Sequence, residues 1–230
     1  MVDKRTIEQV LEEQYDELSA LQDVELCSRN EESLVDLNSN LAQVVIGVRR
    51  SGKSTLCYNV LKQHAEKFAY VNFDDERFDG LQTSDLNTVL EVLYKIYGDF
   101  KYLFLDEIQN IDGWHLFVNR LLRQRMHILV TGSNAKLLSG ELATHLTGRN
   151  EQIELYPFSF AEYCHCNGVD TKSKTTKAEA LRRAAFDDYL KQGGFPELLH
   201  KENKTRYVGT LVNNILKRDI EQRHKIKYVE

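Results

Sequence analysis

The segment Gly47–Thr55, GVRRSGKST, constrains the fold of this 230-residue chain more than any other stretch. Gly47 is followed by Val48, Arg49, Arg50 and Ser51, and then by Gly52-Lys53-Ser54. This is the G-x-x-x-x-G-K-[ST] spacing of a phosphate-binding loop. Gly47 and Gly52 let the backbone turn tightly and approach an anion with no Cβ in the way. The loop amides then point inward as a nest for phosphate oxygens. Lys53 is placed to reach the β- and γ-phosphates, and the Ser54 hydroxyl to hold Mg²⁺. Such a loop belongs between a strand and a helix. The apolar run Ala42–Ile46 reads as a buried strand. From Thr55 to Lys67, Leu56, Val60 and Leu61 recur at helical spacing, and a helix N-terminus there adds a favourable field for phosphate.

Composition narrows the class. Hydrophobic residues make up 42 % of the chain, enough for a sizeable core in one large domain or one domain with a smaller appendage. A net charge of −5 gives no global pull toward nucleic acid or an acidic membrane. The start, MVDKRTIEQV, is charged and lacks the apolar core of a signal peptide. No stretch reaches the ~18 apolar residues of a membrane span. A cytoplasmic location and no membrane partner are expected. Cys164-His165-Cys166 lacks a second ligand pair at zinc spacing, so no zinc site is expected there.

The remaining pattern alternates strands with helices. Residues 6–22 predict an amphipathic helix with a capping box from Thr6 to Gln9. Its apolar face holds Ile7, Val10, Leu11, Leu18 and Leu21, directed at its own domain or at a partner. Phe68–Phe73 predicts a strand, and Asp74-Asp75-Glu76 after it reads as a solvated turn or as a source of one carboxylate near the phosphates. Thr83–Tyr97 predicts a helix. Tyr102–Leu105 predicts a strand that ends in Asp106-Glu107. Two acids after four apolar residues are costly unless they have a task at the strand end. Asp106 is assigned to Mg²⁺, and Glu107 to orienting and deprotonating an attacking water. Asp112 is expected to cap a helix carrying Trp114, Phe117, Val118, Leu121 and Leu122. His127–Val130 predicts a strand. Within Thr131-Gly132-Ser133-Asn134, which follows it, a polar side chain is placed to touch a γ-phosphate or water. A helical stretch over Ala135–Leu146 and a strand over Glu151–Tyr156 complete the alternation, which indicates a parallel sheet with crossovers. Ser159 and Glu162 form a capping box for a short helix. Gly168–Lys177 is polar and reads as a boundary or loop. Thr176 and Glu179 are expected to cap the next helix, which ends at Gly193-Gly194. A last helix from about Thr205 has Val208, Leu211, Val212, Ile215, Leu216 and Ile220 inward.

The motifs GVRRSGKST, YVNFDDERF (70–78), LFLDEIQNIDGW (103–114), TGSNAKLLSGELATHLTGR (131–149), LYPFSFAEY (155–163) and GGFPE (193–197) together resemble the AAA+ ATPases. They are most similar to a bacterial and archaeal group in which an AAA-like core precedes a winged-helix and nuclease-like C-terminal region. The resemblance implies an α/β P-loop NTPase fold, with a five-stranded parallel sheet in the order 5-1-4-3-2, flanking helices and a small C-terminal helical subdomain. The expected division is an N-terminal helical segment over 1–32, the ATPase core over 33–166 and a lid-like helical part over 167–230, with the C-terminal region absent. The resemblance further implies that Gly47–Thr55 binds ATP with Mg²⁺ held by Ser54 and Asp106. It gives Ser133 or Asn134 a sensor role and turns Arg149 toward the nucleotide of a neighbouring subunit in a homo-oligomer. It sets Pro196 near the base or sugar.

Mg²⁺-dependent ATP hydrolysis coupled to conformational change or assembly is therefore the expected activity. The alternative is a slow nucleotide-operated switch or binding module, with DNA association through the absent C-terminal region. No [NT]-K-x-D motif for reading guanine occurs, and neither an acceptor pocket nor a basic lid for a kinase stands out.

Overall fold

The computed structural model describes residues 2–65, 67–133, 146, 148–200 and 204–215. The chain divides into two compact units, Met1–Gly47 with Lys53–Leu155, and Val48–Gly52 with Tyr156–Glu230.

The first unit contains α1 (Lys4–Ala20), β1 (Ala42–Gly47), α2 (Lys53–His64), β2 (Phe68–Asn72), α3 (Leu86–Tyr97), β3 (Tyr102–Asp106), α4 (Trp114–Arg123), β4 (His127–Ser133) and β5 (Asn150–Glu154). The strands form one parallel sheet in the order β2-β3-β4-β1-β5, the order expected of a P-loop NTPase. Parallel pairing requires long crossovers, and α2, α3 and α4 supply those between β1 and β4. The two-residue period of a strand splits the core into two layers. Val44, Ile46, Leu103, Leu105, Ile128 and Val130 pack with α1, α3 and α4 on one face. Val45, Phe104, Leu129 and Ile153 pack with Leu56, Cys57, Val60 and Leu61 of α2 on the other. Every β1 residue is buried because both faces are covered.

Helix α1 packs on this sheet through Ile7, Val10, Leu11 and Gln14, while Leu21 is exposed. Its cap is Asp3, whose carboxylate accepts from the Thr6 amide at 2.8 Å; Gln9 instead donates to Glu13. The helix therefore starts three residues earlier than a Thr6–Gln9 capping box places it. Gln14 does more than fill space. Its side-chain amide donates to the Asn72 carbonyl at 3.0 Å and accepts from the Asn72 amide at 2.9 Å. One glutamine thus pairs the outward-facing backbone amide and carbonyl of Asn72 at the end of β2, an edge strand. The N-cap of α4 is Gly113 in the left-handed region (φ 70°), not Asp112.

The second unit contains α5 (Phe160–Cys166), α6 (Thr176–Gln192) and α7 (Lys204–Ile215). The Ser159–Glu162 capping box forms as expected. The cap of α6 is Thr175 rather than Thr176, accepting from the Ala178 amide at 3.3 Å. Phe160, Tyr163, Phe186 and Tyr189 pack ring against ring between α5 and α6. On α7 Leu211 is buried, whereas Val212, expected inward, is 46 % exposed. Residues 134–145 and 216–230, which carry the expected Ala135–Leu146 helix up to Leu146 and the end of the last helix, lie outside the described residues.

The glycine pair after α6 has two distinct causes. Gly193 adopts φ 82° at the helix C-cap, a conformation that glycine takes without strain. Gly194 accepts a hydrogen bond from the Phe158 amide at 2.7 Å, and a Cβ there would overlap the Phe158 carbonyl oxygen. Gly194→Ala is expected to destabilise the second unit by about 1–3 kcal/mol, the usual cost of overpacking. Urea unfolding followed by proteolysis between residues 156 and 200 measures it; an unchanged midpoint would contradict the close approach.

Candidate active site

The strand order brings the ends of β1, β3 and β4 together, and the polar groups of the first unit gather there. Period-two alternation puts Asp106 on the same sheet face as Phe104, and Thr131 on the same face as Leu129. That is the face covered by α2, which begins with Lys53 and Ser54. The Asp106 carboxylate is 4 % exposed. Its Oδ1 accepts from the Ser54 hydroxyl at 2.9 Å and from the Thr131 hydroxyl. Its Oδ2 accepts from the Tyr70 hydroxyl at 3.4 Å. Burial pushes the Asp106 pKa from the ordinary 3.8 to about 6. The bonds from Thr131 and Ser54 pull it back, the Glu107 charge adds to the rise, and the Lys53 charge opposes it. Burial, followed by the nearby Asp106 charge, pushes the Tyr70 phenol up, so it donates as a neutral group.

Lys53 is buried, and its ammonium donates to the Gly47 carbonyl at 3.2 Å. Glu107 leaves the strand in the left-handed region (φ 53°), a conformation that costs a residue with a Cβ on the order of 1–2 kcal/mol. Its amide donates to Thr131 Oγ1 at 3.2 Å, and its carboxylate accepts from the side-chain amide of Gln109. Asp106 and Glu107 are therefore neighbours in sequence with different surroundings, one buried under α2 and one half-buried beside Gln109.

Of the loop residues, Gly47 ends β1 and lies beside Ser133 in the parallel register. Val48, Arg49, Arg50, Ser51 and Gly52 belong to the second unit, with positive φ at Arg50 (65°) and Gly52 (95°). Thr55 is exposed on the first turn of α2. Asn134 lies outside the described residues, and Ser133 is described by its backbone alone. Arg149 is exposed, and its guanidinium donates to the Asn119 side chain at 3.2 Å. Pro196 opens a 3-10 turn, Pro196–His200, in the second unit. The acidic trio behaves as a turn: Asp75 caps Glu76–Phe78 and pairs with Arg77 at 2.8 Å, which holds its carboxyl below the usual range. Three contacts escaped the sequence reading. Thr131 lies in the Thr131–Asn134 segment where a polar side chain is expected at the phosphate, although the resemblance points to Ser133 or Asn134. Tyr70 and Gln109 carry no signal until β2, β3 and the turn after β3 are placed side by side.

The sequence model of a family described as an AAA domain matches residues 39–164, more than half of the chain. The chain belongs to that AAA domain family. As an AAA domain it carries a P-loop ATPase core. An uncharacterized protein of Methanocaldococcus jannaschii is 35 % identical over 238 residues, covering 100 % of this chain and 52 % of that protein. An uncharacterized protein of Haemophilus influenzae is 34 % identical over 200 residues, covering 83 % and 48 %. The chain thus spans about half the length of these relatives. Among solved structures, a Walker-type ATPase of Pyrococcus abyssi is 15 % identical with a TM-score of 0.48, covering 90 % of this chain and 80 % of that one. AMPPCP-bound DnaA of Aquifex aeolicus is 17 % identical with a TM-score of 0.41, covering 94 % and 76 %.

The raised Asp106 pKa makes a stability prediction with a definite sign. Between the ordinary 3.8 and about 6 the native site keeps a proton that the unfolded chain has released. The stabilisation is complete below the lower value and is lost as pH rises through the upper one, a span of about 2–3 kcal/mol. The ligand-free protein should therefore lose stability from about pH 4 to about pH 7 through this residue, and Asp106→Asn should flatten that slope. Urea midpoints across the window decide it; parallel slopes in both proteins would contradict it.

Proposed function

We propose that the chain binds Mg-ATP at Gly47–Thr55 and hydrolyses it, the nucleotide state changing conformation or assembly. The observation that carries this reading is the buried Asp106 carboxylate bonded to the Ser54 hydroxyl at the start of α2. A hydroxyl and a carboxylate 2.9 Å apart are a hard oxygen pair, the donor type that magnesium takes. Ser54 and Asp106 would hold the ion, which when bound would neutralise phosphate charge.

The chain's own residues do the rest. The loop amides bind phosphate oxygens, and Lys53, held ready against the Gly47 carbonyl, supplies a cation to the β- and γ-phosphates. Thr131 fixes Asp106 and the Glu107 amide through one hydroxyl, so the two acids keep a set spacing. Glu107 accepts a proton from the attacking water, and the Gln109 amide holds its carboxylate until then. Ser133 or Asn134 acts as sensor after β4, and Pro196 lies against the base or sugar. Arg149, free of any carboxylate partner among the described residues, serves the nucleotide of a neighbouring copy. A slow nucleotide switch is the second reading, favoured by the bond that occupies Glu107.

Glu107→Gln should keep ATP binding and lower phosphate release by roughly 10²–10⁴-fold. Lys53→Ala should weaken ATP binding itself. Normal release by the first variant, or normal affinity in the second, contradicts the assignment. Gln109→Ala separates the two readings: slower release supports a positioned base, and faster release supports the switch. For Arg149, activity per molecule should rise with protein concentration. Mixing Arg149→Ala with Glu107→Gln should restore part of the rate. A flat profile and an inactive mixture would remove Arg149 from the reaction.

A further inference from the structure

The GGFPE segment ends on a residue with no part in the chemistry above. Within the second unit the Arg50 guanidinium meets the Glu197 carboxylate at 2.5 Å and the Tyr207 hydroxyl at 3.2 Å. The Tyr207 hydroxyl donates to the same carboxylate, and Arg50 Cζ stands 5.7 Å from the centre of the Tyr207 ring. Three side chains thus close on one another: Arg50 from the phosphate loop, about 150 residues away in sequence from Glu197 in the turn after Gly194 and from Tyr207 on α7. Arg50 also holds φ 65°, a backbone angle that L-residues avoid and that persists where surrounding contacts impose it.

Arg50 is the third of the four residues between Gly47 and Gly52, the segment whose amides form the phosphate nest. A planar guanidinium binds phosphate as well as it binds carboxylate, by the same two-pronged geometry. A nucleotide phosphate on the loop carries more charge than Glu197 and competes for the same donors. We propose that Glu197 and Tyr207 are positioning residues for Arg50: they hold the guanidinium, and with it α7, until a nucleotide phosphate on the loop draws it away. Loop occupancy is then read out as loosening of α7. The inference rests on the ATP-binding reading above. It gives GGFPE a purpose beyond backbone packing, with Gly194 fixing the turn and Glu197 presenting the competing anion.

The test combines hydrogen exchange of the α7 amides with ATP affinity in the full chain. In the wild type, saturating Mg-ATP should raise α7 exchange. Glu197→Gln should show raised exchange without nucleotide and bind ATP about two- to fivefold more tightly, the range for a half-exposed ion pair. Tyr207→Phe should move both readouts the same way by less, and it decides the matter if Glu197→Gln unfolds. Tighter binding separates positioning from mere damage, since a damaged fold binds more weakly. Wild-type ATP binding with unchanged α7 exchange, or unchanged or weaker affinity in both variants, overturns the coupling alone. Absence of ATP binding by the wild type, with Lys53→Ala indistinguishable from it, overturns the nucleotide reading and this inference with it.

Discussion

The hydrogen bonds that converge on the Asp106 carboxylate hold the site together, because they tie the start of α2 to the ends of β3 and β4 and to β2. Ser54 comes from the first turn of α2, Thr131 from β4 and Tyr70 from β2, while Asp106 itself ends β3. A carboxylate this buried is expensive to ionise, and three donors do not replace the water it has lost, so its pKa is raised. The fold tolerates that cost at a strand end where a cation would remove it. Placing Ser54 against Asp106 fixes the start of α2, and therefore the exit of the loop. The Thr131 hydroxyl then carries the constraint one residue on, to the amide of Glu107.

Much of this was legible in the sequence where the signal is local. The loop spacing, the apolar runs of β1, β3 and β4, and the helical period of Leu56, Val60 and Leu61 each identify their element without reference to the rest. The strand order also matches expectation, although it came from resemblance rather than from periodicity. Helix starts were less legible. Asp3, Gly113 and Thr175 serve as caps where Thr6, Asp112 and Thr176 were expected. Capping residues occur in clusters here, and only backbone geometry decides among them. The partners of Asp106 could not be read at all from one stretch. Tyr70 and Thr131 reach it from two different neighbouring strands, so their role depends on register, which is a property of pairing rather than of composition.

The second unit shows the same limit in another form. GGFPE is conspicuous as a motif, but the work of its glycines appears only when Phe158 is brought against Gly194. Exposure of Val212 on α7 likewise breaks the apolar face that the sequence pattern implies. The chain spans about half the length of the matched relatives. Within the second unit, Arg50 is bonded to Glu197 and to Tyr207 of α7, far along the chain.

Ser54, Asp106 and Lys53 are the proposed phosphate and cation centre of this domain. A crystal structure of the chain with magnesium and a non-hydrolysable ATP analogue tests it most directly. The account predicts phosphates on the amides of Gly47–Thr55, Lys53 turned from the Gly47 carbonyl to the phosphates, and the Ser54–Asp106 bond opened around the cation. A nucleotide bound elsewhere, with Lys53 still on Gly47 and Ser54 still on Asp106, would contradict it.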